Sequence, residues 1–278
     1  MNQATWSCAF GSALAIDGDT FVTGSLRTAE GLPGSATCPD REVENTYVYR
    51  TPDGGRTWNL EQKIPLAGDK LAMRAGTLVI SKAGSIYPYY ERTDKDGKRF
   101  WAPGDAFEVS LSKYDKLQVS LGSGSLLAAG PLRTKEEKHS PKKVGVYELA
   151  DQAWSQVALL DGSDTTYMDE FGSPLALDGD VLVVGARDAC GYPDQHGYWN
   201  CTEGGVSLGD AGVAYVFQRS EGGNWSQTAK VFPPNPGDGY FFPTVLSVSG
   251  DRVVMTNGNP AMPQPQDVGS VSVYGPAH

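Results

Sequence analysis

The chain contains a near-copy of part of itself. Residues 10–19 read Phe-Gly-Ser-Ala-Leu-Ala-Ile-Asp-Gly-Asp and residues 171–180 read Phe-Gly-Ser-Pro-Leu-Ala-Leu-Asp-Gly-Asp, identical at eight of ten positions and 161 residues apart. That separation is about three periods of a unit a little over fifty residues long. A chain built this way folds as a series of equivalent units, each of which buries its apolar face only against a neighbour.

The unit reads as four short strands. In the fourth copy the pattern predicts strands over residues 173–178, 181–186, 213–217 and 225–231. Asp178-Gly179 is a hairpin signal, because glycine takes the positive φ that tight turns require. Val181 to Ala186 is a nearly continuous apolar run, suited to a strand covered on both faces. The first copy repeats this grammar over 13–16, 21–24, 46–50 and 58–64, with a turn at Pro52-Asp53-Gly54-Gly55. The second is expected over 70–74, 77–81, 85–91 and 107–111, and the third over 116–121, 125–129, 144–149 and 154–159. The fifth runs over 244–249, 252–256 and 269–274 and then stops.

No helical periodicity interrupts these strands. The expectation is an all-β single domain over 1–278, a five-bladed β-propeller of four-stranded antiparallel blades, since a ring leaves only short protected strand edges. The blades fall at about 10–64, 69–111, 115–160, 169–232 and 238–275. The last lacks a fourth strand. Thr5-Trp6-Ser7 echoes Trp154-Ser155 and Trp225-Ser226, so residues 2–7 are expected to supply it and close the ring.

Composition removes several classes of function. A formal charge of −10 and a pI near 4.8 exclude a nucleic-acid partner, which needs a basic face. The sequence holds no run of eighteen apolar residues, so no membrane insertion is expected. Four cysteines allow three disulfide connectivities, of which the local one pairs Cys8 with Cys38 and Cys190 with Cys201. Disulfides imply an oxidising compartment. Met1 to Thr5 shows no secretory leader, and the cysteines lead to the expectation that one was removed or replaced. Asn200-Cys201-Thr202 and Asn224-Trp225-Ser226 are N-glycosylation sequons consistent with secretion.

An aspartate stands two residues before Leu71, Leu117, Phe171 and Tyr240, where the chain turns into each first strand: Asp69, Asp115, Asp169 and Asp238, with Cys8 at that place before Phe10. A carboxylate at such a corner accepts backbone N–H groups. Connections between second and third strands are long in four copies, and in a meander they share one end with the links between units. Loops of this length commonly carry function. The strongest candidate is the stretch bounded by Cys190 and Cys201, where Tyr192, Asp194, His196, Tyr198 and Trp199 combine aromatic faces with polar tips.

The succession Phe171-Gly172, then Leu177-Asp178-Gly179-Asp180 with Val181 to Ala186, then Gly212 to Phe217 and Trp225 resembles the FG-GAP repeat. That repeat forms the propeller blades of integrin α-subunits and of many secreted proteins. The resemblance implies extracellular adhesion, recognition or assembly, generally without catalysis. It also brings an Asp-x-Asp-x-Asp-Gly calcium loop after the second strand. Arg187-Asp188-Ala189-Cys190 lacks that spacing, and Asp94-Lys95-Asp96-Gly97 is a fragment of it elsewhere, so neither calcium nor another cofactor is expected.

The functional expectation is a secreted, non-enzymatic propeller that binds an extracellular protein or glycan through its long-loop face, as part of a larger assembly. The alternative is a carbohydrate-binding lectin, and a hydrolase is the remote one. Only three histidines occur, none in a nucleophile motif, and the neighbouring carboxylates Asp169 and Glu170 point oppositely if they lie on a strand.

Overall fold

The computed structural model describes residues 10–25, 45–109, 116–122, 125–131, 142–165, 169–189, 202–203, 206–207, 212–232, 242–257 and 270–275. Among the described residues every regular element is a β-strand. The chain divides into two compact units, Met1–Glu108 and Val109–His278.

The first unit holds two sheets. One is the antiparallel meander β1 (Phe10–Asp17), β2 (Thr20–Ser25), β3 (Asn45–Arg50) and β4 (Asn59–Ile64). The other comprises β5 (Lys70–Arg74), β6 (Thr77–Lys82), β7 (Ser85–Thr93), β8 (Arg99–Pro103) and β9 (Phe107–Glu108). Alternation puts Ala13, Val22, Val48 and Ile64 of the first sheet against Leu71, Met73, Leu78, Ile80 and Trp101 of the second. Each fully buried aliphatic side chain contributes roughly 1.5–3 kcal/mol.

Local chemistry explains the turns. Asp17 pairs with Thr20 across Gly18-Asp19, and Gly18 has φ of 56°. The β3–β4 connection is held by its own side chains. The Thr51 hydroxyl accepts the Gly55 N–H at 2.7 Å, and the Asp53 carboxylate accepts the Thr57 N–H at 2.8 Å and its hydroxyl at 2.7 Å. The Thr57 backbone bond, then its hydroxyl, hold the exposed Asp53 carboxyl below its ordinary value.

The sequence placed the fourth strand of the second sheet at 107–111, and that is corrected. Asp94 accepts the N–H groups of Asp96 and Lys98, both at 2.9 Å, and closes a tight hairpin that returns the chain at once as β8. Strand β8 pairs with the far half of β7 (Tyr89 to Thr93), and β9 pairs with its near half at Ser85 and Ile86.

The second unit holds three sheets in series. The first is β10 (Leu117–Leu121), β11 (Leu126–Pro131), β12 (Val144–Ala150) and β13 (Ala153–Leu160). The chain continues through β14 (Phe171–Asp178) and β15 (Val181–Ala186), a small hairpin of β16 (Thr202–Glu203) and β17 (Val206–Ser207), then β18 (Val213–Arg219) and β19 (Trp225–Val231). Strands β14, β15, β18 and β19 form the middle sheet. Last come β20 (Val245–Ser249), β21 (Arg252–Asn257) and β22 (Ser270–Tyr274).

Strand β15 is covered on both faces, as its unbroken apolar run requires. Leu182, Val184 and Ala186 join the core shared with β11 and β12, and Val183 joins the core shared with β20 and β21. The last sheet packs Leu246, Val253 and Met255 inward and leaves Val245, Val271 and Val273 exposed on its other face. Residues 2–7, which the sequence assigns to its missing strand, lie outside the described residues.

The repeated decamer has a physical meaning in both copies. Its Phe-Gly step is a bulge, the pairing shifting between Phe10 and Ala13 and again between Phe171 and Ser173. Gly11 and Gly172 have φ of 86° and 115°, which a side chain would oppose. The first aspartate of Asp-Gly-Asp reaches the first turn of the following sheet: Asp17 accepts the Ala75 N–H at 2.6 Å, and Asp178 accepts the Gly250 N–H at 2.8 Å. One short sequence therefore encodes a bulge, a turn and a tie to the next sheet.

Candidate functional site at the loop-bearing end of the second unit

In a four-stranded antiparallel meander, the link between strands two and three leaves from the end at which the chain enters strand one and exits strand four. The long insertion between β15 and β18 therefore shares an end with the segments leading into and out of the middle sheet. Its base is built and buried. The Asp188 N–H donates to the Asp169 carbonyl at 3.3 Å, and the Ala189 N–H donates to that of Ala186 at 3.1 Å. Asp169 is only 4% exposed and is engaged by neighbours, as is Glu170.

Phe171 and Ala189 are buried in the core shared with β11 and β12, and Phe242 is buried in the core shared with β20 and β21. On the far side of the insertion the chain re-enters through Gly212, at φ of 71°. A Cβ there would run into the carbonyls of Phe242 and Arg187. No other residue fits, so the return path of the insertion is fixed by close backbone approach.

The five aromatic and polar candidates, Tyr192, Asp194, His196, Tyr198 and Trp199, lie outside the described residues. So do Cys8, Cys38, Cys190, Cys201 and Asn200. Asn224 is described and is exposed, at the turn between β18 and β19. The β16–β17 hairpin, pairing Thr202 with Ser207 and Glu203 with Val206, follows Cys201 directly and was missed in the sequence. Two-residue strands carry no periodicity to read.

Sequence reasoning also missed two charged clusters. In the second unit, Asp164 accepts the Tyr215 hydroxyl and the Lys230 ammonium, both at 2.7 Å. Burial opposes the charge on Asp164, but the bonds from Lys230 and Tyr215 prevail and hold its carboxyl below the ordinary value. The same ammonium lies 5.5 Å from the ring centroid of Tyr215 and 5.1 Å from that of Phe232.

In the first unit the Arg50 guanidinium meets Asp19 at 2.6 Å, Glu61 at 2.9 Å and Glu91 at 2.6 Å. Arg99 binds the second oxygen of Asp19 at 2.6 Å. The hydrogen bond from Arg99 is the largest influence on Asp19 and lowers its pKa. This cluster joins the β1–β2 turn, β3, β4, β7 and β8 across two sheets, where it acts as a brace. Its members lie up to 80 residues apart in the chain, so no local motif announces it.

Among the described residues no group of three or more His, Cys, Asp or Glu side chains could hold a metal ion. The Asp94-Lys95-Asp96-Gly97 fragment spends its first carboxylate on the β7–β8 turn.

Residues 154–217 match the FG-GAP repeat, from the start of β13 to the end of the apolar part of β18. The chain carries an FG-GAP repeat. Antiparallel meanders precede and follow this region in the chain, and the sheet that ends the chain has three strands. No curated protein matches the sequence.

Among solved structures, the chain is similar to the periplasmic gluconolactonase of Pseudomonas aeruginosa. The TM-score is 0.49 at 17% identity, over 90% of this chain and 69% of that one. It is also similar to the native arabinanase of Bacillus subtilis, with a TM-score of 0.37 at 8% identity, over 96% of this chain and 93% of the other. A third is a puromycin hydrolase mutant, with a TM-score of 0.33 at 13% identity, over 98% and 52% of the two chains.

These three are enzymes by their titles, which corrects the expectation that this FG-GAP chain is not one. The physical error lay in searching for local catalytic motifs. A strand scaffold assembles sites from separate loops, so the count of histidines and the lack of a nucleophile motif do not bear on activity. At these identities the likeness assigns no activity to this chain.

Proposed function

We propose that this FG-GAP propeller, with five sheets as its blades, is an extracellular recognition module that engages a protein partner through its loop-bearing end. The observation behind this reading is the contrast between the two ends of the middle sheet. One end carries the turns Gly179-Asp180 and Ser220 to Asn224, while the other carries an insertion of over twenty residues on a buried base. Ordering a loop at its root lowers the entropy lost when it meets a partner. Tyr192, Asp194, His196, Tyr198 and Trp199 are the proposed contacts, and the Cys190–Cys201 bridge is proposed to restrain them. Aromatic side chains of this kind dominate binding energy at protein interfaces.

The test is affinity capture from the native extracellular fluid with the intact chain, followed by substitution. Tyr198→Ala and Trp199→Ala should each weaken partner binding at least about tenfold while the melting temperature stays unchanged. Retained binding in both variants overturns the reading. A glycan array in the same study separates the lectin alternative. Turnover of lactone, glycan or peptide substrates that is lost on Asp169→Asn would instead place a hydrolytic site at this end.

A further inference from the structure

The two sequons differ in what surrounds them, and only the second falls on described residues. Asn224 closes the turn between β18 and β19 and uses only its backbone there. Its carbonyl accepts the Ser220 N–H at 2.8 Å, and its own N–H donates to the Ser220 hydroxyl at 3.2 Å. The side-chain amide makes no hydrogen bond among the described residues. The turn around it is open: a Cβ at Gly222 would meet nothing closer than that amide, at 3.7 Å, and the Ser220 hydroxyl.

The strand that follows sorts the triplet by face. Asn224 and Ser226 are exposed, while Trp225 between them packs on the core with Ala158 and Phe232. Alternation in an extended segment therefore sets the amide and the hydroxyl on one solvent-facing side. Asn59 is also exposed, but it is followed by Leu60 and Glu61 and so lacks the hydroxyl. Exposure and the triplet coincide at Asn224.

We propose that Asn224 is an N-glycosylation acceptor, modified by an oligosaccharide carried on a lipid pyrophosphate. The Nδ2 atom attacks the anomeric carbon of the donor sugar. A C–N bond forms as the C–O bond to pyrophosphate breaks, the amide gives up one proton to the transferase, and the lipid pyrophosphate leaves. The glycan projects from the tip of a hairpin and displaces no buried group, so the folded sheet tolerates it. The Trp225 indole, turned inward, stays beneath the attachment point.

The proposal rests on the extracellular reading, and the experiment separates the two. The full chain, directed into a eukaryotic secretory pathway by an added leader, should carry a glycosidase-sensitive mass at Asn224, seen as conversion to aspartate in the peptide spectrum after enzymatic release. Asn224→Gln and Ser226→Ala should each remove it, Ser226→Thr should keep it, and Asn200→Gln should leave it in place. An unmodified Asn224 in secreted, folded protein overturns the proposal, as does modification that survives Ser226→Ala. If chain isolated from its native source occupies a compartment without this machinery while the leader-directed chain is glycosylated, the extracellular reading fails and the acceptor site stands.

Discussion

Arg50 shows how much one side chain can organise. At 13% side-chain exposure it satisfies three carboxylates, two from strands and one from the β1–β2 turn, a geometry that suits the planar guanidinium fork and not an ammonium point charge. Arg50→Met strands Asp19, Glu61 and Glu91 against one another and should lower stability by about 2–4 kcal/mol. The check is a urea midpoint that falls with an unchanged slope, and Arg50→Lys should recover only part of the loss. Asp164 makes a second prediction. Its folded-state pKa lies below the unfolded value, so its contribution is present above about pH 4 and disappears as pH falls through the folded value. Asp164→Asn should therefore be less stable near neutrality and show a shallower decline in melting temperature on acidification. Tyr215→Phe removes one of the two bonds to that carboxylate and should cost about 1 kcal/mol.

Among the elements, glycines separate ordinary turns from the built base of the insertion. Gly18 and Gly212 both have positive φ, yet a Cβ at Gly18 enters open space whereas one at Gly212 meets backbone. Gly18→Ala should cost about 1–2 kcal/mol, the penalty of the left-handed conformation alone. Gly212→Ala adds displacement of the Phe242 carbonyl and should cost clearly more, with heightened proteolysis within residues 190–211 as the local readout. Equal costs at the two sites would show that the base is not rigid. The second sheet teaches a complementary lesson about legibility. Its fourth strand was misplaced because Asp94 forms a side-chain-closed turn whose hydrogen bonds, unlike hydrophobic alternation, leave no periodic trace.

For the whole molecule, charge and repetition set the terms. A formal charge of −10 opposes the approach of a phosphate backbone. The chain should pass unretained through an immobilised heparin or DNA column at physiological salt and bind an anion exchanger. Retention that weakens steeply with salt would contradict this. The series of meanders was legible because each unit repeats the same strand pattern and the same bulge-and-turn decamer. The base of the insertion was only half legible: Asp169 stood out by its spacing, whereas its burial and the close approach at Gly212 did not.

By itself the sequence determined the all-β class, the strand order of every described sheet except the second and the β16–β17 hairpin, the Asp-Gly turns and the place of the long β15–β18 insertion. These follow from local rules: alternation, an unbroken apolar run, and glycine where φ must be positive. Tertiary structure alone decided which charges meet, since Arg50, Asp19, Glu61, Glu91 and Arg99 come together only when two sheets stack. It also decided that Asn224 and Ser226 face solvent while Trp225 packs inward. The physical reason is range: periodicity reports on residues a few positions apart, whereas side chains from different sheets meet only once packing has fixed the distances between them.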